Sequence, residues 1–290
     1  MAEHWLYVPS VGFFLILAQA LSLFYQRKQT RVPAIFLILA LLGFYSYLTI
    51  RQNKYWREPV GFYEQTIKLA PDSSRAYNNL GKAYYEAGRE EDAVIPCFKK
   101  AIDLKPDFHE AYFNLGFVYF HNDRIEDAII SYKRAIELKP DYKKAYKNLG
   151  HAYHHSHRYQ EAIPFYKKAI ELKPDYEEAL YKLGNVYASL KKNTEAKATY
   201  EKLVQINSNY EEVYNNLANI YYKDGRKKKA IALYEKAIEI NPGYGEAYNN
   251  LSIIYYRQKQ YESAGEYLDK ATELGFTNPV LFEKLKPYRQ

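Results

Sequence analysis

The sequence is short of several residues that would decide its class at once. One cysteine, Cys97, in 290 residues excludes an intrachain disulfide framework and a thiolate zinc cluster. Thirteen glycines and twelve prolines exclude collagen-like and low-complexity chains. No phosphate-binding G-x-x-x-x-G-K-[ST] loop, no G-x-S-x-G, no H-E-x-x-H and no dinucleotide fingerprint occurs anywhere, and no set of side chains at catalytic spacing is present. These absences point to a chain that is not an enzyme and needs no cofactor or metal. Tryptophan is nearly absent as well, two residues against 33 tyrosines and 14 phenylalanines, so tyrosine is the aromatic whose use must be explained.

What is present argues for a folded protein. Hydrophobic residues make up 48% and charged ones 26%, a balance outside the range of disordered chains. The formal charge of +7 raises the question of nucleic acid, and its placement answers it. Residues 1–58 hold six basic and two acidic side chains; the remaining 232 hold 35 and 32. More than half of the excess therefore flanks the amino-terminal fifth, and the remainder is too nearly balanced for a nucleic-acid stripe.

That amino-terminal fifth is apolar. Residues 5–25 carry no charge, and residues 32–50 (VPAIFLILALLGFYSYLTI) carry none either. Crossing a hydrocarbon layer takes about 20 such residues. The composition predicts a transmembrane helical hairpin over residues 1–50, with spans at about 5–25 and 32–50, rather than a signal peptide, because Glu3 and His4 stand where a basic segment is needed. Arg27, Lys28 and Arg31 in the connection place that loop in the cytoplasm by the positive-inside rule. The expectation is an integral protein of the cytoplasmic membrane with everything after residue 50 extracytoplasmic. Arg51, Lys54 and Arg57 weaken that bias.

Beyond residue 58 the chain repeats itself. Pro71, Pro106, Pro140, Pro174, Ser208 and Pro242 recur at intervals of 35, 34, 34, 34 and 34. Six residues past each marker stand Tyr77, Tyr112, Tyr146, Leu180, Tyr214 and Tyr248, and three further on Leu80, Leu115, Leu149, Leu183, Leu217 and Leu251. A small residue follows each leucine (Gly81, Gly116, Gly150, Gly184, Ala218, Ser252), and then a tyrosine (Tyr84, Tyr119, Tyr153, Tyr187, Tyr221, Tyr255). Spacing of i, i+3, i+4 and i+7 is one apolar stripe of a helix, and the small residue admits a neighbouring helix. A second helix follows in each unit, marked by Ala93, Ala128, Ala162, Ala196, Ala230 and Ala264, with Tyr132, Tyr166, Tyr200 and Tyr234 behind the middle four, and is stopped before the next proline. The first unit has one extra residue and Pro96 in its second helix, where an irregularity is expected.

This pattern resembles the tetratricopeptide repeat, with tyrosine where that pattern prefers tryptophan or phenylalanine. The resemblance implies an all-α solenoid, a right-handed superhelix of helix-turn-helix units. Six repeats are expected over residues 74–276, a junction and partial repeat over 51–73, and a capping helix with a polar outer face over 277–290. Such solenoids present their first helices along a concave surface. The candidate peptide-binding residues are therefore the column Asn79, Asn114, Asn148, Asn216 and Asn250, broken by Lys182, and the aromatics Phe113, Phe117, Phe120, Tyr222 and Tyr256. An asparagine offers a donor and an acceptor, so a column of them can pair with the amides of an extended peptide. The column is similar to the asparagine ladder of O-linked N-acetylglucosamine transferases; asparagine is also common there in repeats of this kind generally, and the aromatics equally suit packing between helices. The neighbouring first-helix column is mixed: Lys82, Phe117, His151, Asn185, Asn219, Ile253. His151, His154, His155 and His157 form a cluster without a carboxylate or cysteine at ligand spacing, and a solvated cluster is the favoured reading over a zinc site.

A second resemblance lies in residues 2–13 (AEHWLYVPSVGF) and 51–71, which are similar to segments of multi-pass C-type, O-mannosyltransferase-like glycosyltransferases that end in a repeat array. It implies a non-catalytic, acceptor-recognising end of such an enzyme, with no catalytic residue carried into this chain. The reading reached from the sequence is a membrane-anchored scaffold that binds a protein or extended peptide on its concave face, the glycosyltransferase end being the alternative.

Overall fold

A computed structural model of the chain describes residues 19, 22, 36–37, 39–47 and 58–288. From residue 58 onward it is helical throughout, in two compact units, Met1–Glu90 and Glu91–Gln290. The boundary falls between the two helices of the first repeat expected from the spacing.

The membrane hairpin is not supported. No helix among the described residues is long and apolar enough to cross a membrane. Most of the first expected span, and both ends of the second, lie outside the described residues. The integral-membrane location and the extracytoplasmic placement of the repeats, which rested on those spans, fall with them.

In the amino-terminal unit, α1 (Pro59–Leu69) packs against α2 (Ser74–Glu86). Pro59 begins α1 at a position whose N–H has no helical partner in any case. Ser73 caps α2, its Oγ accepting from the Ala76 N–H at 3.3 Å. The Tyr84 hydroxyl donates to Glu64 Oε1 at 2.8 Å and ties the two helices together.

The larger unit begins with α3 (Glu91–Leu104), which runs on through Pro96. Five helix pairs follow: α4 (His109–His121) with α5 (Ile125–Leu138), α6 (Lys143–His155) with α7 (Tyr159–Leu172), and α8 (Glu177–Ser189) with α9 (Asn193–Ile206). Then come α10 (Glu211–Lys223) with α11 (Lys227–Ile240) and α12 (Gly245–Arg257) with α13 (Tyr261–Glu273). Each first helix packs on its own second helix, and each second helix on the first helix that follows. Even numbers are thus first helices and odd numbers, from α5, second helices.

The turn inside each pair needs one residue in the left-handed region. Asp123, His157, Lys191, Gly225 and Lys259 occupy it at φ between 58° and 76°. Between pairs the chain is extended: Lys139, Lys173 and Asn241, each followed by proline, have φ of −140°, −145° and −132°. Asn207 holds the same geometry (φ −137°) before Ser208, without help from a proline. Its Oδ1 accepts from the Asn209 N–H at 2.9 Å, as that of Asn241 does from Gly243.

The core of this unit lies between the helices of each pair. Tyr132, Tyr166, Tyr200 and Tyr234 are at most 2% exposed. Their rings lie against the small residues of the first helices: a Cβ on Gly116 would sit 2.9 Å from the Tyr132 ring, one on Gly150 3.0 Å from Tyr166, and Gly184 is tighter still against Tyr200. These glycines are there for clearance. A second set of tyrosines, Tyr142, Tyr176, Tyr210 and Tyr244, opens the first helices without capping them through the side chain. Lys139 and Lys173 lie over the rings of Tyr142 and Tyr176 at 5.2 and 5.4 Å.

At the carboxy terminus α14 (Pro279–Leu285) is capped by Asn278, whose Oδ1 accepts from the Leu281 N–H at 3.1 Å. Leu281 and Leu285 close the core over Ala264 and Leu268. Its outer face is mixed: Glu283 and Lys284 are exposed, and so are Val280 and Phe282, at 66% and 39%.

Candidate functional site

The asparagine column falls on the first helices, half-buried at every position, and in the larger unit its amides are engaged inside the chain. Asn148 Nδ2 donates to the Tyr132 hydroxyl at 3.4 Å. Asn216 Nδ2 donates to the Tyr200 hydroxyl (3.3 Å) and to Asn185 Oδ1 (3.2 Å). Asn250 Nδ2 donates to Asn215 Oδ1 at 3.0 Å, and Asn215 in turn to Glu246 at 3.0 Å. Asn114 sits at the equivalent place on α4. In the amino-terminal unit Asn79 accepts from Asn78 Nδ2 at 3.4 Å. The column therefore joins a buried second-helix tyrosine to the next first helix at two of its positions, sixteen residues apart in each case.

The neighbouring column completes that seam. The Tyr200 hydroxyl donates to Asn185 Oδ1 at 2.5 Å and the Tyr234 hydroxyl to Asn219 Oδ1 at 2.6 Å. Asn185 and Asn219 were not among the residues singled out from the sequence. Their signal was there: fifteen residues before each buried tyrosine stand Phe117, His151, Asn185 and Asn219. Tyr166 has His151 and Lys182 where Tyr200 has Asn185 and Asn216, and its hydroxyl is buried without a hydrogen-bond partner. Burial drives the ionisation of Tyr166, Tyr200 and Tyr234 far above the ordinary tyrosine range, so these hydroxyls are neutral donors.

Two cavities open on the first-helix face. One, of about 340 Å³ between α8 and α10, is lined by Tyr181, Asn185, Asn216 and Asn219 with Ser189 and Lys223 among their neighbours. The Tyr181 ring in this lining stacks on that of Tyr210 at 5.2 Å. The other, of about 200 Å³ between α4 and α6, is lined by Phe117, Phe120, Lys147, Asn148, His151 and Glu178, among others. Here Lys147 Nζ and Glu178 Oε1 form an ion pair at 2.7 Å. A larger hollow of about 500 Å³ lies between α4 and α5, beside the exposed Ile130, and contains none of the expected site residues.

The structure thus brings Phe117, Phe120 and Asn148 together and separates the remaining aromatics. Phe113 packs on Tyr132 and Tyr142, with ring centroids 5.8 and 5.1 Å away. The Tyr222 hydroxyl accepts from Arg257 Nη1 at 3.0 Å. Tyr256 lies against the closing core at the carboxy terminus and beside Tyr261. Of the histidines, His151 packs tilted against Phe120 at 4.9 Å and His155 edge-on to it at 5.3 Å, while His157 takes the left-handed turn. Burial, then Lys182, holds the His151 imidazole down to about 4, so it is neutral near pH 7. No group of three or more His, Cys, Asp or Glu that could hold a metal ion occurs among the described residues.

Models of the tetratricopeptide repeat match residues 109–142, 144–176 and 211–244, and again 62–95, 165–198 and 233–266; a further TPR repeat model matches 184–225. The chain belongs to the tetratricopeptide-repeat family. Among solved repeat structures it is similar to MamA, with 28% identity, a TM-score of 0.56, and coverage of 61% of this chain and 96% of the other. It is also similar to YrrB, described as a TPR protein with an unusual peptide-binding site, at 25% identity and a TM-score of 0.55, over 65% of this chain and 97% of that one. Among curated proteins, Protein O-mannosyl-transferase Tmtc2 of Drosophila melanogaster is 35% identical over 94 residues, 32% of this chain and 10% of the relative. The tetratricopeptide chain spans about a tenth of the length of the curated relatives it matches. Their name agrees with the resemblance of residues 2–13 and 51–71, although the alignments fall on the repeats.

Proposed function

We propose that this tetratricopeptide chain is a non-catalytic scaffold that binds an extended peptide, or an extended segment of a protein, along the first-helix face from α4 to α12. The observation that carries this reading is the pairing of two cavities on one face. One is walled by Phe117 and Phe120, the other by the amides of Asn185, Asn216 and Asn219. An aromatic recess takes an apolar side chain, and an amide-lined one takes hydrogen-bonding groups, which together suit a polypeptide. The peptide-binding site named for YrrB supports the same class of partner.

The experiment is selection from a displayed random-peptide library with the full chain, followed by calorimetric titration of the selected peptides. Replacing Phe117 and Phe120 with alanine should weaken binding about tenfold or more, the range of aromatic anchors, with helicity unchanged. Failure to select any peptide, or equal affinity for the double variant, would sink the reading.

A second reading is favoured by the name of the curated relatives. The repeats would then hold an acceptor polypeptide for a mannosyl transfer performed by another part of a longer protein. An open reading frame continuing upstream of Met1 into many apolar segments would support it, and an in-frame stop codon would remove it.

A further inference from the structure

Within a repeat, one second-helix position decides whether the groove beside the first helix is filled. By the 34-residue period it holds Ser131, Phe165, Thr199, Leu233 and Tyr267 in the five second helices from α5 to α13. Where it is aromatic, its ring lies flat on the last tyrosine of the first-helix stripe. Phe165 stacks on Tyr153 and Tyr267 on Tyr255, each pair with centroids 5.3 Å apart and planes 3° from parallel. In α5 the position falls to Ser131. Its hydroxyl turns back on its own helix, donating to the Asp127 carbonyl at 2.8 Å.

The result is the hollow of about 500 Å³, walled on the α4 side by Tyr112, Leu115 and Tyr119. Tyr119 keeps the arginine that Tyr153 also has, Arg124 at 4.3 Å against Arg158 at 4.5 Å, and lacks the ring. A cavity of roughly 150 Å³ holds a benzene, so this one has room for a ring and the atoms that carry it. Its charges are matched already. Arg124 pairs with Asp127 at 2.6 Å and Arg134 with Glu137 at 2.8 Å, while Lys133 reaches toward the Tyr153 ring at 5.7 Å. At the rim Ile130 is 65% exposed, where the later second helices carry Pro164, Ala198, Ala232 and Glu266. A large apolar side chain thus stands at the edge of the groove from whose floor a large apolar side chain is missing.

We propose that the hollow between α4 and α5 is a second binding site, one that takes a single aromatic side chain of a partner polypeptide. The ring lies on Tyr119 as Phe165 lies on Tyr153, against Leu115, with Ile130 covering its edge. The chain's own repeats give the chemistry of the occupant, since a ring fills the same place against the same tyrosine in α7 and α13. The paired charges agree, because they leave nothing to attract an ion and favour an uncharged guest. Parallel stacking on a tyrosine favours an aromatic ring over an aliphatic side chain of similar size. None of the first-helix asparagines, and neither Phe117 nor Phe120, lines this hollow. The inference therefore stands whether or not the first-helix face takes an extended peptide. With both sites occupied, the chain holds two polypeptides at once.

The test follows the Leu115 and Ile130 methyl resonances of the ¹³C-methyl-labelled full chain during titration with N-acetyl-tryptophanamide. The wild-type chain should show saturable shifts at both residues. N-acetyl-leucinamide should bind about fivefold more weakly, the order of the preference that ring pairs show beyond buried area. Ser131→Phe supplies the missing ring from within. Its Tm should rise by about 3 °C, as cavity filling does in a chain of this size, and the response at both methyls should be lost. Ser131→Leu, which copies Leu233, serves in its place if the phenylalanine variant does not fold. Replacing Phe117 and Phe120 together with alanine should leave the response unchanged. The site is overturned if the tryptophan amide moves neither methyl, or if a folded Ser131 variant responds as the wild type does. Equal affinity for the two amides would overturn the aromatic class. Saturation by indole without saturation by the tryptophan amide would overturn the polypeptide in favour of a free small molecule. Loss of the response in the Phe117 and Phe120 variant would show that the hollow is no separate site.

Discussion

Tyr166 and Tyr200 stand one repeat apart with rings equally buried, and yet the polar groups around them share almost nothing. The hydroxyl of Tyr200 sits in a chain of amides from Asn216 to Asn185; that of Tyr166 faces the positions of His151 and Lys182 and bonds to neither. The helices nevertheless pack alike, α6 on α7 and α8 on α9. The ring is what the repeat requires, for volume, against Gly150 or Gly184. The hydroxyl is at liberty to serve something else, and the α8–α10 step uses it while the α6–α8 step does not.

The comparison is best broken at the ring itself. Tyr166→Ala and Tyr200→Ala should each cost about 4 kcal/mol in chemical denaturation, the range for emptying an aromatic site. A much smaller loss at either position would mean that the two steps are not packed alike. Next in size, Gly184→Ala should destabilise by about 2 kcal/mol and Gly150→Ala by less, since the Tyr200 ring lies closer to its glycine than Tyr166 does to its own. The reverse order would argue that Tyr166 is the more constrained ring.

His151→Asn rebuilds one half of the Tyr200 arrangement around Tyr166. Giving the buried hydroxyl an acceptor should add about 1 kcal/mol to stability. It should also flatten the acid side of the stability profile. The folded His151 value of about 4 lies below the ordinary 6.5, so between those limits the unfolded chain binds more protons, and stability present above pH 6.5 is lost as pH falls toward 4. Denaturation midpoints measured across that window should fall less steeply in the variant. An unchanged slope would remove His151 as the cause.

The smallest effect separates the hydroxyls directly. Tyr200→Phe should lose about 1 kcal/mol, and Tyr166→Phe should be neutral or slightly stabilising, since it removes a buried group that bonds to nothing. Equal losses at the two sites would show that Tyr166 has a partner after all.

Much of this architecture was legible in the residues. The apolar stripe, the small residue after each leucine and the stop before each proline gave the helix pairs and their order, because those signals are local. The seam was legible only as a fixed offset of fifteen residues between Asn185 or Asn219 and a repeat tyrosine; that this offset is a contact was not, since no helical or strand period links residues so far apart on different helices. The asparagine column was visible as a column, but its attachment to Tyr132 and Tyr200 depends on how deeply those rings are seated. Phe113, Tyr222 and Tyr256 looked equivalent to Phe117 and Phe120 by position and differ through neighbours that the repeat does not specify. The apolar composition of residues 5–25 and 32–50 invited two spans; composition measures how apolar a segment is, and among the described residues no helix is long and apolar enough to cross.

Among the described residues, the side-chain hydrogen bonds named above that join different helices of the larger unit span at most 35 residues of chain. Tyr132 and Tyr200 meet their amides only sixteen residues later, on the next first helix. During synthesis each tyrosine therefore waits for little more than one further helix before its burial is complete. Closing such short loops costs little entropy, and the cost does not grow as the chain lengthens. The molecule can be finished in the order in which it is made, always about one repeat behind the ribosome.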